Sequence, residues 1–377
     1  MLYPSIACNL DTDILLAALP LLESERVQAL EWSFDTLYQV RDIPAWFDEL
    51  LLEYGRAGRL IGHGVFFSLF SGRWSPEQAQ WLEHLKKQCS VFQFDHITEH
   101  FGFMTGADFH SGAPISLPFT ASTLAIGHDR LRRIQEVCAC PVGLENLAFA
   151  YSLEEVKRHG DFLNRLVEPV NGFIILDLHN LYCQAHNFDM PAEELLDLYP
   201  LERVREIHIS GGSWENSPLL PERPVRRDTH DDAVPAEVFQ LLRNTIPLCP
   251  NLKFVVLEQM GTALHTEANR RQFRQDFDAM HTILEAFDAP AQSNGNTFAP
   301  FSLPVLGTPL EDADLYRQQR QLSEILETAD SYEAARQMLE NSDLAGTAWG
   351  TEHWAPYMLE TAMRIAQKWQ KGFQQPA

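Results

Sequence analysis

Side chains that commonly bind metal ions follow a short apolar segment near the middle of this chain. In the sequence FIILDLHN, the apolar run Phe173–Leu176 is followed by Asp177, and His179 and Asn180 lie just beyond it. The paired isoleucines and the short length of the run favour a buried strand. Metal-competent groups at the end of a buried strand contribute little to folding, so this segment is a candidate for chemistry.

The same arrangement recurs at other predicted strands. The further candidate ligands are His63 (IGHGV), His96 (FQFDH), Glu145 (VGLEN), His208 (REIHIS) and Glu258 (VVLEQ), with Asp228 and His230 (RDTHD) in the loop after His208. A single His or Glu at such a position is more often a satisfied core residue, an Arg partner or a helix cap. Repetition at successive strand ends is hard to explain in that way. Imidazole and carboxylate donors without thiolate are compatible with Zn, Mn or Fe, and their number allows two or three ions.

Short apolar segments alternate with amphipathic ones through most of the chain. The predicted strands are Pro4–Cys8, Val27–Ser33, Leu60–Val65, Val91–His96, Pro141–Asn146, Phe173–Leu178, Arg205–Ser210 and Lys253–Glu258. The predicted helices are Thr12–Leu22, Ile43–Tyr54, Pro76–Gln88, Ala121–Val137, Leu153–Leu166, Ala192–Leu198, Pro235–Asn244 and Glu267–Phe287. This alternation predicts an α/β fold, a (β/α)8 TIM barrel, in which all strand ends that carry candidate ligands meet at one mouth.

The domain organisation follows from where the alternation stops. We expect a metal-binding catalytic barrel over residues 1–288, a linker or strap over 289–309, and a helical C-terminal extension over 310–377. The segment Ser213–Arg227 is longer than most connections, and we expect it to be a lid.

Residues next to the candidate ligands divide into two groups. We expect Asp95, Glu99 and Asn146 to orient the ligands from a second layer, and His179 to be either such a residue or structural. No positional argument singles out four other histidines, which we expect to be ordinary: His100, His110, His186 and His265.

Composition limits the partners. A formal charge of −23 disfavours DNA or RNA, because binding to polyphosphate relies on Lys and Arg. No apolar run is long enough to span a membrane, and the N-terminus lacks the basic and apolar regions of a secretory signal. The six cysteines show no disulfide or zinc-ribbon spacing. We therefore expect a cytoplasmic protein with reduced thiols that acts on a small molecule or a peptide.

The order of the ligand segments resembles the superfamily of endonuclease IV and xylose-isomerase-like barrels. Endonuclease IV carries the series His, His, Glu, Asp-x-x-His, His, Asp-x-His, Glu, and this chain matches it except that Asn180 replaces the His of Asp-x-x-His. With that departure, the chain is more similar to the multinuclear non-heme iron-dependent oxidases. The matching segments are GHGVFFSL, DHITEHFGF, GLEN, LDLHNLY, IHISGG and DTHDDAVPAEVFQLL, and the resemblance covers residues 1–285.

The resemblance implies an enzyme that uses two or three iron ions (Fe2+/Fe3+) and O2 to modify a precursor peptide, at Cys or another side chain. It implies metal ligands at His63, His96, Glu145, Asp177, Asn180, His208, Asp228, His230 and Glu258, with Glu145, Asp177, Asn180 and His208 catalytic. It also implies a leader-peptide-binding partner protein, a role that the C-terminal extension could take instead. Two departures are His179, where the family often has Asn, and Gly212, where it often has His.

Three alternatives remain open from the sequence. A hydrolase like endonuclease IV would use the metal to activate water, and a sugar isomerase or epimerase would use about one divalent ion with Glu145 and Glu258 as acid and base. A binding or scaffold module would act through the C-terminal helices.

Overall fold

The computed structural model describes residues 1–36, 43–106, 109, 111–287, 298–301 and 307–370. Most of the expected linker, and the C-terminal end of the expected extension, lie outside the described residues. His110 lies outside them as well. Within this described part, no helix combines the length and the apolar character that crossing a bilayer requires.

Eight parallel strands close into a barrel in the order β1-β12-β9-β8-β7-β4-β3-β2. In chain order the strands are β1 (Tyr3–Ala7), β2 (Ala29–Trp32), β3 (Leu60–Gly64), β4 (Phe94–His100), β5 (Phe103–Met104), β6 (Pro114–Ile115), β7 (Val142–Glu145), β8 (Phe173–Asp177), β9 (Val204–Ile209), β10 (Trp214–Ser217), β11 (Leu220–Arg226) and β12 (Phe254–Leu257). The pairs β5–β6 and β10–β11 form small antiparallel sheets outside the barrel.

Helices connect the strands and surround the barrel. They are α1 (Thr12–Glu23), α2 (Ala45–Arg56), α3 (Pro76–Val91), α4 (Ala121–Cys138), α5 (Leu153–Val167), α6 (Leu178–Asn187), α7 (Ala192–Leu196), α8 (Ala236–Thr245), α9 (Glu267–Phe287), α10 (Ala313–Thr328), α11 (Tyr332–Glu340) and α12 (Pro356–Trp369). Side-chain caps mark several starts: Ser75 and Thr120 each form a capping box with the third residue of their helix. The predicted barrel and helical C-terminal region are confirmed.

The fourth barrel strand differs from the prediction. Val91 and Phe92, expected to begin this strand, instead end α3 and follow it as its C-cap. The strand begins at Phe94 and runs to His100. Its C-terminal end therefore lies four residues beyond the predicted one, which changes the candidate ligand that it presents.

The long segment after β9, which we expect to be a lid, contains a two-stranded hairpin. Its strands β10 and β11 pair with each other, and α12 holds them: Ser217 Oγ donates to Glu360 Oε2 at 2.5 Å, and Arg364 Nη1 donates to Glu215 Oε1 at 2.6 Å. Ordered pairing and these contacts fix the segment to the C-terminal helices.

The C-terminal helices pack directly on the barrel. The rings of Tyr151 and Trp354 stack with centroids 3.7 Å apart, and the Ala355 N–H donates to the Tyr151 carbonyl at 2.8 Å. On the other side, Gln319 accepts from Gly72 N–H at 2.9 Å and donates to the Phe70 carbonyl at 2.8 Å. The extension therefore supports the loops that follow β3 and β7.

Candidate metal centre

Polar side chains from six barrel strands meet at the C-terminal mouth of the barrel. His63 precedes the last residue of β3, Glu145 and Asp177 end β7 and β8, and His208 lies next to the last residue of β9. Glu258 directly follows β12, and β4 contributes His100. The expected convergence of strand ends is therefore observed for most of the predicted residues.

The Glu145 carboxylate lies between two groups of donors. Its Oε2 is 3.4 Å from Nε2 of His63 and 3.4 Å from Nε2 of His100. Its Oε1 faces Nδ1 of His208 at 3.8 Å, and the same Nδ1 lies 3.2 Å from Glu258 Oε2. In each of the sets His63–His100–Glu145 and Glu145–Asp177–His208–Glu258, one donor atom per residue lies within 4.8 Å of the others. This geometry suits two ions bridged by a shared carboxylate.

Asp177 and Asn180 are brought together by a helix that the sequence prediction missed. Asp177 is the N-cap of α6, and its Oδ1 accepts the Asn180 N–H at 2.6 Å. One helical turn thus places the Asn180 side chain beside Asp177, where its Nδ2 donates to the Asn146 carbonyl at 2.8 Å and to Glu145 Oε1 at 3.3 Å. The cap uses one oxygen of Asp177 and leaves the other for a ligand.

The loop after the β10–β11 hairpin extends the cluster on one side. His230 Nδ1 lies 3.5 Å from Glu258 Oε1, and its Nε2 lies 2.8 Å from Asp228 Oδ1. His179 Nδ1 contacts the same Asp228 oxygen at 3.1 Å, and Arg226 Nε donates to His179 Nε2 at 3.1 Å. Because Arg226 only donates, His179 carries its proton on Nδ1 and donates it to Asp228, which it thereby orients.

Several side-chain atoms that face this mouth are buried and lack a hydrogen-bond partner. They are His63 Nε2, Glu145 Oε2, Asp177 Oδ2, Asn180 Oδ1 and His208 Nδ1. A buried polar atom without a partner costs about 1–3 kcal/mol, and the cost is higher for a charged group. Such atoms converging from five residues are what a cation site requires, so the residues present fit a metal centre.

The electrostatics of the mouth point to the same conclusion. Burial alone would lower the pKa of His63, but the carboxylates of Glu145, 3.4 Å away, and Glu31 raise it to about 10. Burial and the nearby charges of Asp228 and Glu145 raise the pKa of Asp177 well above its usual range. The negative charges of the carboxylates therefore keep His63 and Asp177 protonated. A bound cation would replace these protons.

His96 does not lie at the mouth, so its expected position is wrong. It pairs across the sheet with Ile61, whereas Thr98 pairs with His63 and His100 with Glu145. The His96 ring packs against the Phe173 ring, at 4.7 Å between centroids. Since Phe173 begins its strand, His96 is at the N-terminal end of the barrel.

His100 takes the place that we assigned to His96. It is the last residue of β4, and its side chain is 25% exposed towards the mouth. The signal that could have identified it is the alternation of His96, Thr98 and His100, which lie on one face of the strand.

The expected orienting residues lie in three different places. Asn146 does support the site: its Oδ1 accepts the Asp177 N–H at 2.7 Å, and its Nδ2 donates to the Asp177 carbonyl at 3.1 Å. Asp95 contacts His96 at the far end of the barrel, 2.9 Å from its Nδ1. Glu99 lies against Gly64, and burial raises its pKa well above the usual range.

A cavity of about 660 Å³ lies between the barrel loops and the C-terminal extension. Its walls include Phe66 from the loop after His63, Phe103 from the segment after His100, and Tyr316 from α10. The segments that follow β3 and β4 therefore contribute to the walls, whereas no residue of the metal cluster does.

A family model matches residues 42–267, which are more than half of the chain. The model describes the RiPP precursor modification enzymes MbnB/TglH/ChrH. The chain belongs to this family. The matched range includes all of the mouth residues described above.

The match to an individual relative is weaker in sequence identity and covers less of the chain. A UPF0276 protein of Shewanella oneidensis is 27% identical over 180 residues, which are 48% of this chain and 61% of the relative. The match thus spans less than two thirds of that relative's length. Among solved structures, a xylose isomerase domain protein from Planctomyces limnophilus aligns with a TM-score of 0.50 and 14% identity over 76% of this chain and 99% of its own. Endonuclease IV from Thermus thermophilus aligns with a TM-score of 0.48 and 14% identity over 75% and 98%. At 14% identity the first of these structures shows a shared fold alone.

Proposed function

We propose that this member of the precursor modification family is an iron- and O2-dependent oxidase with a two- or three-iron centre, and that it modifies a ribosomally made peptide at Cys or another side chain. The observation that carries the proposal is the convergence of partnerless buried donor atoms on both sides of Glu145. Imidazole, carboxylate and amide oxygen donors suit iron, although they suit zinc and manganese as well. The resemblance to the multinuclear iron oxidases favours iron.

The chain would hold the ions in three neighbouring places. His63, His100 and Glu145 would bind one ion, and Glu145, Asp177, His208 and Glu258 would bind a second. The contacts that run from Glu258 through His230 to Asp228 offer a third place. When bound, iron supplies redox capacity and open positions for O2, which amino-acid side chains lack.

The side chains around these places would have separate tasks. Glu145 contacts the donors of the first place through Oε2 and those of the second place through Oε1. Asn180 Nδ2 donates a hydrogen bond to Oε1. Asn146 fixes the backbone of Asp177, and His179 orients Asp228. Rigid support of this kind keeps the reacting groups in position and excludes water.

The cavity beside the C-terminal extension is where we place the peptide. Its walls include Phe66 and Phe103, which follow His63 and His100 by three residues in the chain, although no metal-site residue lines it. The C-terminal extension would then contribute to peptide binding through α10. A bulky change in the wall, Ser71→Trp, is expected to weaken binding of a fluorescein-labelled precursor peptide without changing the metal content. Ser90→Trp, on the exposed surface of α3, is the matched control.

The proposal is tested by the metal content and the peptide product together. Anaerobically purified protein is expected to hold two or three irons per chain by elemental analysis, and its optical spectrum is expected to change on exposure to air. Co-expression with a cysteine-bearing precursor peptide should alter the mass of that peptide only when iron and O2 are present. A zinc-only protein that cleaves abasic-site DNA, or one that isomerises sugars with about one ion per chain, would contradict it.

A further inference from the structure

A column of ionisable side chains runs through the barrel interior below the metal centre. Asp95 Oδ1 lies 2.9 Å from His96 Nδ1, and His96 Nε2 lies 2.7 Å from Glu206 Oε2. Glu206 Oε1 then lies 3.3 Å from His208 Nε2. His96, Glu206 and His208 are fully buried, and Arg205 Nη2 anchors the outer end by donating to Asp95 at 2.6 Å.

This column has no evident value for stability. Apolar side chains fill the barrel beside it, with Ala29, Ile61, Phe254 and Val256 forming one buried cluster. Barrel interiors are usually filled by such residues. Each buried charge costs several kcal/mol in desolvation, and replacing a buried ion pair by apolar side chains is often neutral or stabilising. The inner end of the column reaches a residue of the metal centre.

The hydrogen bonds along the column act on the ring of His208. A carboxylate only accepts, and Glu206 is held in place because His96 donates to its Oε2. The Nε2 of His208 therefore carries the proton and donates it to Glu206. The other nitrogen, Nδ1, faces Glu258 Oε2 at 3.2 Å and Glu145 Oε1 at 3.8 Å, so it is the nitrogen that a cation would take.

Glu31 is a second carboxylate near the same nitrogen. Its Oε2 lies 3.1 Å from His208 Nε2, but neither of its oxygens has a hydrogen-bond partner. Unlike Glu206, Glu31 has no donor that fixes its position. Its donor atom, together with those of Glu206 and His208, lies within 4.8 Å of the others, so an ion bound in the barrel interior is the competing reading.

We propose that Glu206 is a positioning residue for the metal centre, which it serves by holding His208 in the tautomer that presents Nδ1 to the cation, while Asp95 and His96 hold Glu206. Metal-binding histidines commonly donate their second ring N–H to a carboxylate in this way. The inference rests on the proposed function only in treating His208 as a metal ligand.

The decisive variant is Glu206→Gln. His96 would take the amide oxygen, so the amide N–H2 would face His208 Nε2 and force the proton onto Nδ1. The affinity for Fe2+ added alone under anaerobic conditions is then expected to fall by about 10- to 100-fold, with the wild-type number of ions at saturation. Glu31→Gln, the matched buried carboxylate, is expected to keep the wild-type affinity.

The carboxylates around His208 raise its pKa, so the tautomer is read by nitrogen-15 NMR of histidine-labelled metal-free protein at a pH where His208 has lost its second ring proton. The His208 signal is assigned through His208→Gln. The wild type is expected to show Nε2–H and the Glu206→Gln variant Nδ1–H. Nδ1–H in the wild type, unchanged affinity in Glu206→Gln, or one extra ion lost in both Glu206→Gln and Glu31→Gln would overturn the inference. If Glu206→Gln does not fold, the wild-type spectrum still decides. If the wild type binds no metal, the proposed function fails while the tautomer remains measurable.

Discussion

Nε2 of His100 lies 3.4 Å from Oε2 of Glu145, at the ends of two neighbouring strands. His63 reaches the same oxygen at the same distance. The two imidazoles and Glu145 Oε2 thus group three donor atoms, and under the proposed function they would bind one ion, apart from the ion bound on the other side of Glu145.

Replacing His100 is therefore expected to remove one ion and leave the other. The variant His100→Ala should lose one metal equivalent, because Glu145, Asp177, His208 and Glu258 remain. Elemental analysis after anaerobic reconstitution measures the change. His353→Ala, at a histidine whose side chain is 79% exposed, serves as the control.

His96→Ala should behave differently from His100→Ala. Its removal leaves Asp95 and Glu206 without their shared buried partner, so we expect the free energy of unfolding to fall by about 3–5 kcal/mol. At saturating metal the stoichiometry should stay at the wild-type value. Loss of an ion from the His96 variant, with full metal binding by the His100 variant, would contradict the assignment of these two histidines.

The barrel itself was predictable because each parallel strand is a buried apolar run between amphipathic helices. The ends of strands were less predictable, since apolar residues occur on both sides of a helix-to-strand boundary. Val91 and Phe92 belong to the end of α3, yet they extend the apolar pattern of β4 backwards. The resulting shift of four residues exchanged His100 for His96.

Contacts between segments distant in sequence could not be predicted from local patterns. The α6 helix begins inside the segment LDLHN because Asp177 caps it. Since Asp177 was interpreted as a metal ligand, its second role as a helix cap was not predicted. The column from Asp95 to His208 joins residues more than 100 positions apart, as the pairing of His96 with Glu206 across 110 positions shows. Only the closed barrel brings these side chains together.

A substitution at Gly212 would test how tightly the loop that carries Asp228 is packed. A Cβ at this position would lie 2.1 Å from the Arg227 carbonyl oxygen and 3.0 Å from Thr229 N. We expect Gly212→Ala to displace residues 227–229, lower the melting temperature and weaken metal binding at the His230 side of the cluster. Gly307→Ala, where a Cβ meets nothing within 4 Å, should leave both properties unchanged. Equal behaviour of the two variants in calorimetry and metal titration would contradict this.

Trp354 tests whether the C-terminal helices belong to the same folding unit as the barrel. Its ring is buried against Tyr151, so Trp354→Ala should lower the free energy of unfolding by about 3–5 kcal/mol. Trp354→Phe keeps an aromatic ring in this place and should cost less. Urea unfolding followed by circular dichroism should show one transition in the wild type. A separate early transition that alone responds to Trp354→Ala would mean that the helices unfold independently.

We expect the buried side chain of His159 to make the stability of the fold sensitive to acid. It is buried between Phe101 and Tyr199, accepts from Gln184 Nε2 at 3.2 Å, and burial lowers its pKa from 6.5 to about 3. Between pH 3 and pH 6.5 the imidazole of His159 is protonated in the unfolded chain and neutral in the folded chain. The contribution of this group is therefore present above pH 6.5 and is lost as the pH falls towards 3, by about 1.4 kcal/mol per pH unit.

The variant His159→Gln should remove this part of the acid sensitivity. Urea unfolding of metal-free protein at pH 5.0, 6.0 and 7.5 would measure the slope of stability against pH, and the slope of the variant should be shallower than that of the wild type by about one proton. His353→Gln, at an exposed position, should keep the wild-type slope. Parallel slopes for wild type and His159→Gln would mean that His159 is protonated in the folded chain, and that its surroundings contain an acceptor for the second ring proton.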